Sequence, residues 1–590
     1  MIPHLLEIQQ LRAAFSAGLK PEELIDTLYD RIAAYSDPAV FIALVPHAEA
    51  RAAARAVNPS LPLAGIPFVV KDNIDVAGMP TTAACPDFAY TALVDATCVG
   101  RLRAAGAILL GKTNLDQFAT GLNGTRSPFG APRCVFNADY IAGGSSSGSA
   151  VAVAAGLAAF SLGTDTAGSG RVPAACNNIF GLKPSIGLIP TRGVVPACKS
   201  LDCVSIFANS PADAVAVLAE AHGFDQTDAY SRAAQAVALP LQPKLGILAT
   251  YQRDFVGDDD AAKLYEATIQ HAIRLGWVVQ PIDYTPFRAA ASLLYEGAFV
   301  AERLAAIRDF YLSHPASFDP TVRAIINGTQ KFSAADLFAD IHKLQALRQI
   351  TKTEMSKVDA LLLPTAPTTF TVEQMLAHPI INNSTLGLYT NFVNLLDLAA
   401  IALPVGFRPN GLPFGVSLIG PAFSEASLAA LATSLHTAVS GSVGINRTRT
   451  LATSAAQAPG TVTLVVAGAH LSGMALNHEL TALGATLVCA TRTAQDYQLF
   501  ALQTTPPKPG LVHRPGFIGS GIAVELWSLS PENFGRFVAA LPAPMGIGRV
   551  TLADGTTHPG FLCETYALDR AIDITAYGGW RAFRDIDAGE

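Results

Sequence analysis

The segment from Gly143 to Arg171, GGSSSGSAVAVAAGLAAFSLGTDTAGSGR, constrains this chain more than any other. It carries two Ser/Gly clusters and a stretch of small apolar residues between them, with charge only at Asp165 and Arg171. Three readings compete. A phosphate-cradling loop needs the cation of a GK[ST] ending, and Gly148-Ser149-Ala150 supplies none. A structural reading makes the first cluster a solvated loop and residues 150–160 a helix packed through small side chains, but leaves the second cluster, which ends at Arg171, unexplained. A serine hydrolase elbow is the third, since GSSSG at 144–148 satisfies GxSxG with Ser146 at its centre.

The elbow requires a base, and no histidine occurs between His47 and His222. Lysine serves instead if it is kept neutral, because burial disfavours the ammonium form. Lys71 directly follows the apolar run LAGIPFVV at 63–70, where a buried strand would deliver a cation to a sheet edge. The plain alternative is a solvated lysine after a strand.

With 590 residues, half of them apolar, the chain can bury a large core and is long enough for two to four domains. A formal charge of -7 and no run of like charge argue against nucleic acid as a partner and leave small molecules. The uncharged window 141–164 is too rich in Ser and Gly for a membrane span, and the first residues lack a cationic leader with an apolar block, so the expectation is a cytoplasmic protein. Eight dispersed cysteines form no CxxC pair and read as reduced core thiols, and twelve scattered histidines show no metal-ligand spacing.

Hydrophobic spacing predicts helices over 21–35, 287–312 and 334–355, the last two within a helical subdomain at 255–350, and buried strands at 63–70, 107–111, 358–363 and 415–419. That alternation suits an α/β sheet flanked by helices. Residues 441–460 are small, polar and aperiodic, as in a linker, which separates a first domain at 1–440 from a second at 461–590. The second is read as a small α+β or barrel-like unit, with strands at 462–466, 485–490 and 522–529, a helix at 476–483 and a hairpin at 547–561 turning at Asp554-Gly555.

VVKDNIDVAG at 69–78, GGSSSGSAVAVAAG at 143–156, GTDTAGSGRVPAA at 163–175 and FGLKPSIG at 180–187 resemble, in order and spacing, the signature blocks of the amidase signature family. The resemblance covers about residues 1–440 and implies a mixed β-sheet core flanked by helices. It also implies a catalytic unit of Ser169, Ser145 after a cis peptide, and Lys71, with backbone N–H groups of Thr166, Ala167, Gly168 and Ser169 as the oxyanion hole. Many relatives carry glycine where this chain has Ala167. No metal or cofactor is implied.

GTDTAGSGRVPA, with FATGLNGTRSPFG at 118–130 and LLYEGAFVAERLAA at 293–306, resembles the allophanate hydrolase branch. In that branch the positions of Tyr295 and Arg303 hold the substrate. They fall eight residues apart on the predicted helix 287–312, near one face. The bland reading makes Tyr295 core and Arg303 a surface cation paired with Glu302 or Glu296. Arg171 either faces the anion or is pinned by Asp165, and Gly121 and Gly124 either admit substrate close to backbone or form a plain loop.

VVAGAHLSGMALNHEL at 465–480, GIAVELWSL at 521–529 and IGRVTLADG at 547–555 resemble the C-terminal domain of allophanate hydrolases, which is γ-glutamyl cyclotransferase-like and credited with decarboxylating N-carboxycarbamate. His470, Asn477 and Glu525, with His478 behind them, are the candidates there; the bland reading of His470 is a satisfied structural histidine. The expected function is hydrolysis of allophanate to ammonia and carbon dioxide, by a homodimer acting downstream of a separate urea carboxylase. The alternatives are a broad amidase for malonamate-type amides and an ammonia-delivering amidotransferase subunit.

Overall fold

The computed structural model describes residues 2–235, 237–439, 441–446, 462–504 and 507–587. The chain divides into two compact units, one of Met1–Gln235 with Gln242–Ala452 and one of Thr453–Glu590 with Ala236–Leu241. Most of the predicted linker at 441–460 lies outside the described residues, although Ser442 and Val443 are buried.

The first unit is built on an eleven-stranded sheet. Its order is Phe41–Leu44, Ile108–Thr113, Pro67–Lys71, Phe160–Asp165, Cys203–Ala208, Phe180–Lys183, Leu398–Phe407, Pro413–Pro421, Ala360–Pro364, Lys244–Leu248 and Val278–Ile282. Pairing is mixed. Pro67–Lys71 runs parallel to both neighbours, whereas Phe160–Asp165 and Cys203–Ala208 are antiparallel. The expected α/β sheet flanked by helices is the architecture observed. PFVVK and FSLGTD are buried at every position, as strands covered on both faces must be.

Two expected helices change. The one at 150–160 starts earlier and ends sooner, at Ser147–Ala154, with all of its residues buried. It stops in a Schellman turn, with Gly156 N–H donating to Val153 O and Leu157 N–H to Ala152 O. Gly156 sits at φ +71 against the His4 carbonyl, so no other residue fits the stop. Phe160 then opens a strand. The predicted helix 287–312 is two, Thr285–Ser292 and Ala301–Ser313, joined by a turn and the short 3-10 segment Ala298–Val300. The break falls at Gly297, where Asp340 of the helix Ala334–Met355 accepts the Ala298 N–H at 2.7 Å. The helices of 255–350 fall within the first unit.

The second unit holds a five-stranded sheet in the order Thr486–Arg492, Ala523–Leu529, Val462–Val466, Thr557–Cys563 and Met545–Thr551. A second sheet contains Lys508–His513, Tyr497–Leu502 and Ile572–Asp573. The predicted hairpin forms with Thr551 opposite Thr557, and Asp554 Oδ1 accepts from the N–H and hydroxyl of Thr556 beside Gly555 at φ +84. Trp527, Phe537 and Phe561 pack into its core. All eight cysteines are free.

Candidate active site

Pro67–Lys71 and Phe160–Asp165 are parallel neighbours, with Phe68 opposite Phe160 and Val70 opposite Leu162, so their C-terminal ends emerge on one sheet edge. That edge carries Lys71 from one strand and the turn Thr166–Ser169 from the other. Loop 143–146, entering the helix Ser147–Ala154, brings Ser145 between them. Lys71 Nζ donates to Ser145 Oγ at 2.9 Å and to Thr164 Oγ1 at 2.6 Å, and Ser145 Oγ donates to Ser169 Oγ at 2.9 Å. The three side chains thus form one hydrogen-bonded line. The Gly144–Ser145 peptide is cis. Ser146, the residue GxSxG nominates, instead donates its hydroxyl to Thr164 O and stays in the packing.

Lys71 is fully buried, and among the described residues no carboxylate forms an ion pair with it. Burial pulls its pKa down to about 7, while the charges of Asp116, Asp202 and Asp165 hold it up and Arg303 lowers it. Lys112 on the next strand is the contrast: equally buried, it sits 3.0 Å from Asp72 in an ion pair and bonds Thr81, a structural arrangement.

At the turn 166–169, the backbone N–H groups of Thr166, Ala167, Gly168 and Ser169 donate to no acceptor among the described residues. Buried N–H groups are rarely left so, and four in succession form a ready site for a developing oxyanion. The turn is held from both sides. Asp202 accepts from Thr166 Oγ1 and from the N–H groups of Ala197 and Cys198. Gly168, at φ +150, lies so close to Thr390 that a Cβ would clash. Ala167 has no positive φ, so alanine is accommodated in the turn without backbone strain.

Arg171 resolves to the second of its two readings and is corrected as a substrate ligand. Its Nε and Nη2 fork onto Asp165 at 2.9 and 3.0 Å, and Nη1 donates to Thr390 O. A guanidinium so occupied, and 0% exposed, clamps the turn and faces no ligand. Against burial, which raises it, Arg171 holds the Asp165 carboxyl below its usual range.

Tyr295 and Arg303 meet, though by another route than one helix face. Tyr295 lies in the turn before Gly297, and Arg303, on Ala301–Ser313, donates from Nη2 to Tyr295 Oη at 2.9 Å and from Nη1 to Thr120 Oγ1 at 3.1 Å. The surface ion pair does not exist: Glu302 instead accepts from Ser200. Arg303 is 2% exposed, its Nε has no partner, and no carboxylate pairs with it among the described residues. A buried cation without a counter-charge suits an anionic ligand. Gly121 O faces Ser169 Oγ at 3.4 Å, and Gly124, at φ +81, packs against Ser147 and Gly143 O. The Gly124 N–H is taken by Asp116, so that residue offers no free amide. Sequence reasoning missed Thr164, whose only signal is its place in GTDTAGSG, and Asp202, which has none.

In the second unit a cavity of about 380 Å³ is lined by His470, Glu479, Lys508, Arg536, Phe537 and Phe561 among others. His470 stacks on Phe561 and bonds Glu479 at 2.9 Å; burial lowers its pKa, which Glu479 partly restores. Asn477 and Glu525 are corrected, for neither lines the cavity. Asn477 Nδ2 donates to His470 O and so fixes the histidine's backbone. Glu525 is spent on Ser472 N–H and hydroxyl, Trp527 Nε1 and Arg581. His478 bonds Ala475 O at the surface. Among the described residues there is no cluster suited to a metal ion, and no helix is long and apolar enough to cross a membrane.

The amidase family model matches residues 23–429 and the allophanate hydrolase C-terminal domain model residues 462–585. The urea amidolyase of Lachancea kluyveri is 44% identical over 551 residues, covering 90% of this chain, which spans only 30% of that protein's length. A glutamyl-tRNA(Gln) amidotransferase subunit from Methylacidiphilum infernorum is 33% identical over 72% of this chain and 93% of its own. The solved allophanate hydrolase of Kluyveromyces lactis superimposes with a TM-score of 0.75 at 39% identity, over 98% of this chain and 99% of that one. With the sheet-edge hydroxyl and lysine line on its first unit and the family match spanning that unit, this chain belongs to the amidase family and carries an allophanate hydrolase C-terminal domain.

Proposed function

We propose that the chain hydrolyses allophanate, with Ser169 as nucleophile, Ser145 as proton relay and Lys71 as base. The observation that carries this reading is the line Lys71–Ser145–Ser169 beside a buried arginine that has no carboxylate partner among the described residues. Ser169 Oγ attacks the terminal carbonyl carbon as its proton passes to Ser145 and that of Ser145 to neutral Lys71. The carbonyl oxygen gathers negative charge against the N–H groups of the 166–169 turn. Collapse returns the proton from Lys71 through Ser145 to the departing nitrogen. The C–N bond breaks, ammonia leaves, and Gly121 O is placed to accept from that nitrogen. Water then deacylates the enzyme by the same relay and releases N-carboxycarbamate. Arg303 and the Tyr295 hydroxyl bind the substrate carboxylate throughout.

The second unit then removes a carboxylate from N-carboxycarbamate: a C–N bond breaks, carbon dioxide departs and the nitrogen takes a proton. His470, in its half-enclosed cavity, is the group proposed to supply that proton. His470→Asn is expected to leave ammonia release from allophanate by the first unit within about twofold while carbon dioxide release lags; following both products in one reaction checks this. The match to urea amidolyases, of whose length this chain spans 30%, supports an upstream urea carboxylase as the source of allophanate; that the carboxylase is a separate protein and that this chain works as a homodimer belong to the proposal and rest on the family resemblance.

The direct test is to compare kcat/KM for allophanate, malonamate and acetamide. Allophanate should lead, and equal values would favour a broad amidase. The pH profile bears on the base. Below pH about 7 Lys71 holds its proton and cannot accept another, so kcat/KM should rise with pH through that value and then level off. A profile flat from acid to alkaline pH would remove Lys71 from the relay.

A further inference from the structure

We propose that Asp116 is a positioning residue for this site: its buried carboxylate holds the loop 123–126, its backbone N–H holds the Ser145 carbonyl, and the carboxylate stands as a negative charge near Lys71. Asp116 is 0% exposed, yet every contact of its carboxylate is with a donor. Oδ2 accepts from the N–H groups of Asn123 at 3.2 Å and Gly124 at 3.0 Å, and Oδ1 from that of Arg126 at 3.0 Å. Burial raises the Asp116 pKa, but Arg126 and the three N–H donors oppose that shift, and a protonated acid would waste its own donor here, so the ionised form fits. The Asp116 N–H donates to Ser145 O at 3.1 Å, which fastens the relay serine to the same residue. A Cβ on Gly121 or on Gly144 would fall onto Asp116 Oδ2, so both glycines are dictated by this carboxylate.

The network reaches the anion site as well. Arg126, buried beside Asp116, donates to Thr120 O at 2.8 Å and to Pro379 O at 2.7 Å, and the Thr120 hydroxyl accepts from Arg303. One residue therefore joins the loop to the relay serine, by its carboxylate on one side and its own N–H on the other, and the loop's Arg126 reaches Thr120, which seats Arg303. The charged groups facing Lys71 are Asp116, Asp202, Asp165 and Arg303. Asp165 is neutralised by Arg171 at contact distance, and Asp202 is taken up by three donors of the 166 and 197–198 turns. The groups facing Asp116 itself are Arg126 and Lys71. Removing the Asp116 charge withdraws support from the protonated lysine, which then loses its proton at lower pH.

The test is Asp116→Asn in the full chain, with kcat and KM for allophanate measured across pH. The acid limb of kcat/KM should move to lower pH by about half a unit or more, with KM raised severalfold as the loop loses at least one of its three contacts with the carboxylate. A limb at its wild-type position overturns the proposal even if the rate falls, because a merely structural defect lowers the rate alike at every pH. Should Asp116→Asn not fold, Asp116→Glu carries the test: charge is kept, the limb stays in place and KM rises, and an unaltered KM overturns the proposal. The inference rests on Lys71 as the base. A wild-type enzyme with no acid limb would fail that reading, whereas failure here leaves the wild-type limb intact.

Discussion

Ser169→Ala and Lys71→Met are each expected to lower ammonia release from allophanate by roughly 10⁴- to 10⁶-fold, with the double variant no slower than the worse single. The expectation follows from the line of three side chains. In the proposed mechanism Ser169 Oγ is the nucleophile, and Lys71 Nζ, 2.9 Å from Ser145 Oγ, is the acceptor of the relayed proton, so removing either stops the reaction. Residues that act as one unit lose their effect together, so the penalties do not add. Single-turnover measurement of ammonia checks both singles and the double. A Ser169→Ala enzyme at full rate would remove the proposed mechanism.

Arg303→Met is expected to cost roughly 30- to 4,000-fold in kcat/KM for allophanate, which corresponds to the ~2–5 kcal/mol of one partner removed from a buried charge pair. The same variant should change kcat/KM for acetamide by less than about threefold, since a neutral amide has no carboxylate for the guanidinium to meet. The physical ground is that Arg303 is buried and, among the described residues, without a carboxylate of its own, so its charge is satisfied only when an anion binds. Tyr295→Phe should repeat the pattern on a smaller scale, near the ~1 kcal/mol of one hydrogen bond. Equal losses on both substrates would mean that Arg303 holds the fold instead of the ligand.

Much of the site was legible in the residues alone. The four signature blocks carry Lys71, Ser145 and Ser169 in order, and the apolar run ending at Lys71 already implied a buried strand delivering a lysine to an edge. Gly156 was a readable helix stop that the small-residue stretch concealed, because alanine continues a helix as readily as it lines a core. Tyr295 and Arg303 were expected to share a helical face. They do meet, but because Gly297 and Asp340 break the helix and fold Tyr295 back over the guanidinium, a competition between elements that no local pattern encodes.

The sequence by itself determined which residues can do chemistry and the order of the strands' apolar cores, since both depend on residue type and spacing along the chain. Only the tertiary structure decided what surrounds them. Arg171 became a clamp because Asp165 reaches both arms of its fork, and Glu525 became a loop anchor because Ser472 and Trp527 reach it first. Lys71 is drawn toward neutrality by full burial, while the charges opposing that shift, at 116, 165 and 202, come from three separate segments. Charge and desolvation act through space, so their balance exists only once distant segments are packed together.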